Sequence, residues 1–488
     1  MPKLRRFTVA LSAAVLASCD WGSGGGDTSS DSASQSTTIY AFGGSSALPN
    51  DGAEPKGSLT LVAVNGKPVL FGRTAIGGNA TGDSADCGII FSIHPDGSNY
   101  QVLYRFNGPD GCDPRHDAMT FDPGTGVLYS TTQGLNQGTN QTYGNQGQIV
   151  AFSPASTIPV PIPAIRVFYD VPDAGAQQHS SFSIDPQTGM LYGQTAKGGT
   201  RDGGLLYAIS PDGSTFVPLH NFTEDEGSNP HGRIVLDNGV LYGIARSNGT
   251  VPADAAGHKA SGHGAIYAFT LTTPLASGPI TVLHTFAGGP DDGALSDHGY
   301  LTPVTDSHGK RIFYGLTQCG GTGSGADACA SKDGGGDGVI FQIDPSAAAD
   351  GRGGFSIVHS FKGKENDDGA DPYGSLMFDG TYLYGTTSLG GKHDQGTVFR
   401  IKPPDRFGDT AEPEILYHFG DHHDDGHKPI DNVVEYCHVL YGMTVYGGAS
   451  GPSPDDTSET GRGAIFAIPN PSRSSEDAAA CRGAPPPI

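Results

Sequence analysis

The stretch LYGTTSLGGKHDQGTVFRI, residues 383–401, decides the fold. It has no helical period. Two short runs, LYGTT and TVFRI, are rich in β-branched and aromatic residues and flank a glycine-rich turn. That pattern reads as two antiparallel strands and the loop between them. Variants of the first run return as LFG (70–72), LYS (128–130), LYG (191–193, 241–243), FYG (313–315) and LYG (440–442). Each is followed by a second phrase: GIIFSIHP, GQIVAFSP, GLLYAISP, GAIYAFTL, GVIFQIDP, GTVFRIKP and GAIFAIPN, beginning at Gly88, Gly147, Gly204, Gly264, Gly338, Gly396 and Gly463. A third phrase follows, such as VLYRF (102–106) or ILYHF (415–419). A fourth precedes each LYG, such as SLTLV (58–62) or SLMFD (375–379). Turns of the form Asp-Pro-x-Thr-Gly, in FDPGTGVLY and IDPQTGMLY, join the fourth phrase to the first as hairpins.

Each unit is therefore four short antiparallel strands, and there are seven units. One such sheet cannot bury both faces alone. Packing the sheets radially around an axis does so and closes a ring. The reading is an all-β, seven-bladed β-propeller of four-stranded antiparallel blades. A stacked solenoid is the alternative, but solenoids keep shorter and more constant periods. The last unit lacks a third phrase, and a spare copy, TTIYAF (37–42), stands at the N-terminal end. Residues Ile39 to Phe42 should thus supply the outermost strand of the last blade and close the ring.

The unit LYGTTxxGG…GTVF.I.P…ILYxF.G…DGA.P.GSLMFD resembles the GloVer tandem repeat of exported bacterial proteins that use varied anchors. The resemblance covers roughly residues 39–470 and is strongest at Tyr373 to Phe399. It is loosest where RVFYDVPDAGAQQHS lacks the Asp-Gly and Pro. It implies an exported β-propeller. It carries no reaction and no catalytic residues.

Composition agrees. With 75 Gly and 35 Pro, 36% apolar and 16% charged residues, the chain is too turn-rich for a helical protein and too apolar for a disordered one. Its 51 acidic and 28 basic residues give a net charge of −23, which argues against nucleic acid as a partner. Residues 1–18 read as a signal peptide, with basic MPKLRR before the short apolar run FTVALSAAVLAS. The junction LASC resembles a lipobox, which makes Cys19 the expected lipidation site. Residues 19–36 form a Gly/Ser/Asp tether, 37–470 the propeller and 471–488 a Pro-rich tail. The expected setting is the bacterial cell envelope, on the periplasmic side or at the cell surface. An N-terminal lipid would be the membrane contact there.

Six further cysteines, Cys87, Cys112, Cys319, Cys329, Cys437 and Cys481, suggest disulfides in an exported chain. Fifteen pairings exist. Proximity favours Cys319–Cys329 and Cys87–Cys112, leaving Cys437–Cys481. No CxxC spacing points to zinc.

Function is less legible. No GxSxG, HExxH, P-loop or dinucleotide motif stands in the right context. A frame D-G-x-x-P-x-G recurs before each innermost strand: DGAEPKG, DGCDPRH, AGAQQHS, EGSNPHG, DGALSDHG, DGADPYG and DGHKPID. Its Asp, Gly and Pro read as turn chemistry. One calcium ion per frame is the functional rival, but a single Asp supplies too few ligands. The position after the Pro varies: Lys56, Arg115, His179, His231, Asp297–His298 with one extra residue, Tyr373 and Ile430. A shared register would place these around one mouth of the channel. Lys56, Arg115, His179, His231, His298 and Tyr373 are the ligand-binding candidates, for an anionic or polyhydroxylated ligand or a metal held by imidazoles. A solvated rim of ordinary variation is the plain alternative. The loop DHHDDGHKPID adds His422, His423, Asp425 and His427 as weaker metal candidates. No cofactor is firmly implied, and a divalent cation is the one these residues could hold. Two functional readings result: a binding module for a ligand, polysaccharide or protein, or a lactonase-, lyase- or glycosidase-like enzyme. The lack of a catalytic signature favours binding.

Overall fold

The computed structural model describes residues 36–43, 51–78, 87–108, 111–133, 135–136, 141–142, 147–154, 166–170, 175–249, 262–323, 335–347, 354–422, 425–448 and 461–471. Cys19, the leader, most of the tether and nearly all of the tail lie outside them. Among the described residues there is no α-helix; a single 3-10 turn spans Lys364–Asn366.

Among the described residues the strands form seven antiparallel blades, six of them four-stranded sheets and the seventh joined by a fifth strand, Gly426–Pro429, from its frame. Blade six shows the plan. From the axis outward it runs Met377–Phe378, Leu383–Thr387, Thr397–Ile401 and Glu414–His418, each paired with the next. The opening stretch is thus the two middle strands. In the loop between them, Leu389–Gly390 pairs with Gly369–Ala370 of the frame. Gly390 and Gly391 take φ of 76° and 72°, and a Cβ on Gly390 would sit 2.5 Å from the Asp368 carbonyl oxygen. Blade seven takes its outer strand from the N-terminal segment: Thr37–Ala41 pairs antiparallel with Ala464–Pro469. The ring closes as the spare third phrase implied.

The middle strands follow one packing rule. The Gly of each LYG phrase faces the aromatic residue of the second phrase: Gly72 with Phe91, Gly193 with Tyr207, Gly243 with Tyr267, Gly315 with Phe341, Gly385 with Phe399 and Gly442 with Phe466. In blade two the first phrase carries Ser130, and the facing residue shrinks to Val150. The rings lie over the glycines, so an added Cβ would meet the Phe341 ring at 2.3 Å and the Phe399 ring at 2.6 Å.

Seven apolar clusters fill the gaps between neighbouring blades. One joins Phe71 and Ile90 of blade one to Leu128 and Val150 of blade two. Others link each successive pair. The last joins Tyr441, Met443 and Ile465 of blade seven to Leu70 and Phe91 of blade one, with Phe42 buried between them. Burial of these faces against a neighbour is the main stabilising term. Cys87–Cys112 is a disulfide and crosses the blade-one to blade-two interface. Cys319 and Cys437 are also disulfide-bonded. Cys329 and Cys481, their expected partners, lie outside the described residues.

Candidate functional site

The recurrent frame positions the site. Its fourth residue is left-handed in all seven blades: Glu54, Asp113, Gln177, Asn229, Leu295, Asp371 and Lys428, with φ between 50° and 59°. In six blades the N–H of that residue donates to the preceding blade, at the carbonyls of Arg462, Cys87, Gly203, His263, Asp337 and Gln395. The frame is therefore a blade-to-blade staple. Its Asp is structural as well. Asp368 accepts the Lys362 and Gly369 N–H groups and lies 3.0 Å from a His359 ring nitrogen. Asp292 does the same for Ala287, Gly293 and His284.

After the staple, the chain turns toward the axis. Here the structure corrects one residue of register. Asp297, not His298, occupies the position of Lys56, Arg115, His179, His231 and Tyr373. His298 takes the next position, which is glycine in blades four and six, where Gly232 and Gly374 have φ of 75° and 99°. Three side-chain-bearing residues hold that left-handed position: His116 (φ 63°), His298 (φ 58°) and Asp431 (φ 83°). Such a φ costs a non-glycine residue about 1–2 kcal/mol. His116 was not among the sequence candidates. Its signal was a histidine standing where sister frames carry glycine.

The histidines of four blades meet at the axis. His116 of blade two stacks on His298 of blade five, with ring centroids 3.3 Å apart. His179 lies 4.3 Å from His231, and His231 lies 4.7 Å from His298. Tyr373 stacks 5.2 Å from His298. His116, His231, His298 and Asp297 are buried, whereas His179, Tyr373, Arg115 and Arg246 are half-buried at the rim.

Asp297 organises the cluster. One carboxylate oxygen lies 2.6 Å from His231 Nδ1 and 3.1 Å from His298 Nε2; the other lies 3.0 Å from Arg246 Nε and 3.3 Å from the Tyr373 hydroxyl. Burial would raise this carboxyl, but His298, His231 and Arg246 hold it well below the usual range. Burial pushes His116, His179 and His298 well below the ordinary histidine value, and the neighbouring imidazoles push the same way. Burial, then Asp297, raises the Tyr373 phenol. The result is an anionic Asp297 carboxylate close to imidazoles, of which His116, His179 and His298 favour the neutral form.

The two predicted rim cations are already paired. Lys56 lies 2.6 Å from Glu54, and Arg115 pairs with Asp113 of its own frame. The Lys56 backbone carbonyl accepts the His116 N–H, and the Arg115 charge helps to hold His116, His179 and His298 down. Gln133 and Arg246, two side chains the sequence did not single out, reach the cluster from the preceding blade, Gln133 from just past its second strand to His179 and Arg246 from within that strand to Asp297.

A second polar layer lies beneath. Arg73 donates to the His116 and Asp117 carbonyls at 2.7 and 2.8 Å. The Asp431 carboxylate accepts the Asp117 N–H at 2.6 Å and the Ser58 hydroxyl at 2.8 Å. Arg233 sits over the Tyr300 ring at 4.1 Å.

The weaker metal candidates are dispersed. Asp425 accepts the Tyr417 hydroxyl, in the frame's structural role. His427 is buried against Tyr446, with centroids 5.7 Å apart. His422 is exposed. His423 lies outside the described residues. Among the described residues, the groups whose ligand atoms fall within 4.8 Å of one another are His116–His179–His298 and His231–Asp297–His298.

The model of the Gloeobacter/Verrucomicrobia repeat matches residues 79–328 and 313–476. The chain belongs to this family. No curated protein matches the repeat protein in sequence. In shape it is similar to other propellers. The polysaccharide lyase Uly1 aligns at 12% identity and a TM-score of 0.47, over 88% of this chain and 92% of that one. A putative 6-phosphogluconolactonase from Bacteroides uniformis aligns at 12% and 0.42, over 84% and 99%. TolB from Acinetobacter baumannii aligns at 11% and 0.36, over 67% and 62%. The chain thus spans less than two thirds of TolB. At these identities and scores the likeness carries no argument about function.

Proposed function

We propose that this GloVer-repeat propeller is a binding module of the cell envelope, and that one mouth of its channel takes a polyhydroxylated ligand, a carbohydrate. One observation carries the reading: blades two to six bring His116, His179, His231, Asp297 and Tyr373 to one spot. Half-buried ring faces and planar carboxylate–guanidinium pairs suit the alternating C–H and hydroxyl surfaces of a sugar. The pairing of Lys56 with Glu54 and of Arg115 with Asp113 leaves little for a purely anionic ligand. Calorimetry and a glycan panel test the reading on the folded chain. Tyr373→Ala and His179→Ala are expected to weaken binding at least tenfold. No binding to any glycan, or equal binding by both variants, would remove it.

A catalytic reading, a hydrolase or lyase, has one observation of its own. The Tyr373 hydroxyl donates to the Asp297 carboxylate at 3.3 Å, which sets a carboxylate and a phenol side by side at the channel mouth. Release of reducing or unsaturated ends from the same panel would favour it over simple binding.

The module is proposed to be exported and anchored through a lipid on Cys19. The basic leader with LASC supports this, as does a disulfide within the propeller.

A further inference from the structure

We propose that His116, His179 and His298 form a binding site for one divalent transition-metal ion, held at the axis by blades two, three and five. The idea does not rest on the carbohydrate reading, because metal uptake is measured without any sugar and either can fail alone.

The donor set comes first. The candidate ligand atoms of the three imidazoles lie within 4.8 Å of one another. Tetrahedral zinc with bonds of about 2.0–2.1 Å needs nitrogens roughly 3.4 Å apart. The His116 and His298 rings are parallel, with 4° between their planes, so the ion must turn them apart until their in-plane lone pairs converge on it. Neutral imidazoles select zinc, copper, nickel or iron over calcium or magnesium, which require oxygen ligands. Three protein ligands leave a coordination position open, as in sites that act on a ligand rather than only on the fold.

The second observation is His298 itself. It is buried, and its Nδ1 has no hydrogen-bond partner. Its Nε2 lies 3.1 Å from Asp297. A proton on Nε2, facing that carboxylate, leaves the Nδ1 lone pair bare, the carboxylate–histidine arrangement that orients metal ligands. An unsatisfied buried polar atom otherwise costs the fold stability. His231 is different: its nitrogens face Asp297 at 2.6 Å and Asn229 at 3.1 Å, so it supports the carboxylate rather than the metal. At His179, the Gln133 amide stands 3.3 Å from Nδ1. Turned end for end, its oxygen would accept Nδ1–H and leave Nε2 for the ion.

The backbone supplies clean variants. His116 and His298 occupy left-handed positions that sister blades fill with glycine. His116→Gly and His298→Gly therefore delete a ligand while relieving strain. The experiment is calorimetry with zinc and nickel chlorides on chelator-stripped, tag-free chain, with metal content checked by mass spectrometry. One ion per chain is expected. Each glycine variant should weaken binding at least a hundredfold, and Asp297→Asn by about 10–100-fold, the range for a lost orienting partner. The variant His422→Ala/His423→Ala should bind as wild type. The proposal falls if stripped wild type takes up no ion at 100-fold excess. It falls equally if folded His298→Gly, checked by circular dichroism, binds unchanged, or if the His422/His423 variant loses the site.

Discussion

Gly385 has no side chain because the Phe399 ring occupies that space. A methyl there would lie 2.6 Å from the ring. Gly385→Ala is expected to destabilise the protein by about 1–3 kcal/mol, the range for overpacking. Blade two shows the remedy, since Ser130 faces Val150 there. Phe399→Val should therefore recover part of the loss, and denaturant unfolding of the two singles and the double would reveal a non-additive pair. This rule was legible: the strings LYG with F or Y, and LYS with V, can be paired on paper. His298 was legible only in part. One inserted residue in DGALSDHG made it the apparent counterpart of His231, whereas the backbone places Asp297 there. Counting along a turn cannot say on which side of a residue the insertion is absorbed; the positive φ at His298 decides it.

Among the elements, the Thr37–Ala41 strand has the clearest consequence. It hydrogen-bonds to Ala464–Pro469, Tyr40 stacks on Tyr100 with centroids 3.9 Å apart, and the Tyr40 hydroxyl donates to Asp51 at 2.6 Å. Phe42 behind it is fully buried. This strand links blade seven to blade one. Deleting residues 37–42 is expected to lower Tm and broaden the transition. Phe42→Ala alone should remove about 3–5 kcal/mol, the usual range for a buried phenylalanine. An unchanged melting curve for the deletion would refute the role in closure. The frames are elements of the same kind. Their Asp and Gly were readable as turn chemistry, but the staple to the preceding blade was not, because the accepting carbonyl belongs to another repeat.

The whole ring gathers buried charge at its axis. Asp431 of blade seven bonds to Ser58 of blade one and to Asp117 of blade two. Burial, and then Asp117, raises its carboxyl from 3.8 to about 7. The folded chain thus keeps a proton that the unfolded chain releases near pH 4. As pH rises from roughly 4 to 7, this group increasingly favours unfolding, by at most about 1.4 kcal/mol per pH unit. Asp431→Asn does not titrate. The variant will have its own constant loss, since its amide cannot accept as the carboxylate does. The stability difference, wild type minus variant, should nevertheless fall steadily over that window. Chemical denaturation at pH 4.5, 5.5, 6.5 and 7.5 measures it, and a flat difference would contradict the assignment.

The amino-acid order alone dictates the repeat, the four strands of each blade and the closing strand, and it favours the Cys87–Cys112 pairing that the structure shows. These are local patterns of alternation, turn residues and proximity, copied seven times. Tertiary structure alone decided the axis. His116 and His298 are far apart in sequence and belong to blades on opposite sides of the ring, so no periodicity relates them. Ring closure brings them to stacking distance. Two left-handed backbone positions then aim imidazoles inward where glycine would have left a gap. Lys56 and Arg115, suggestive as free cations in the sequence, are neutralised by carboxylates two residues away once the frame folds. A turn's conformation, not its composition, determines whether neighbouring charges meet each other or the solvent.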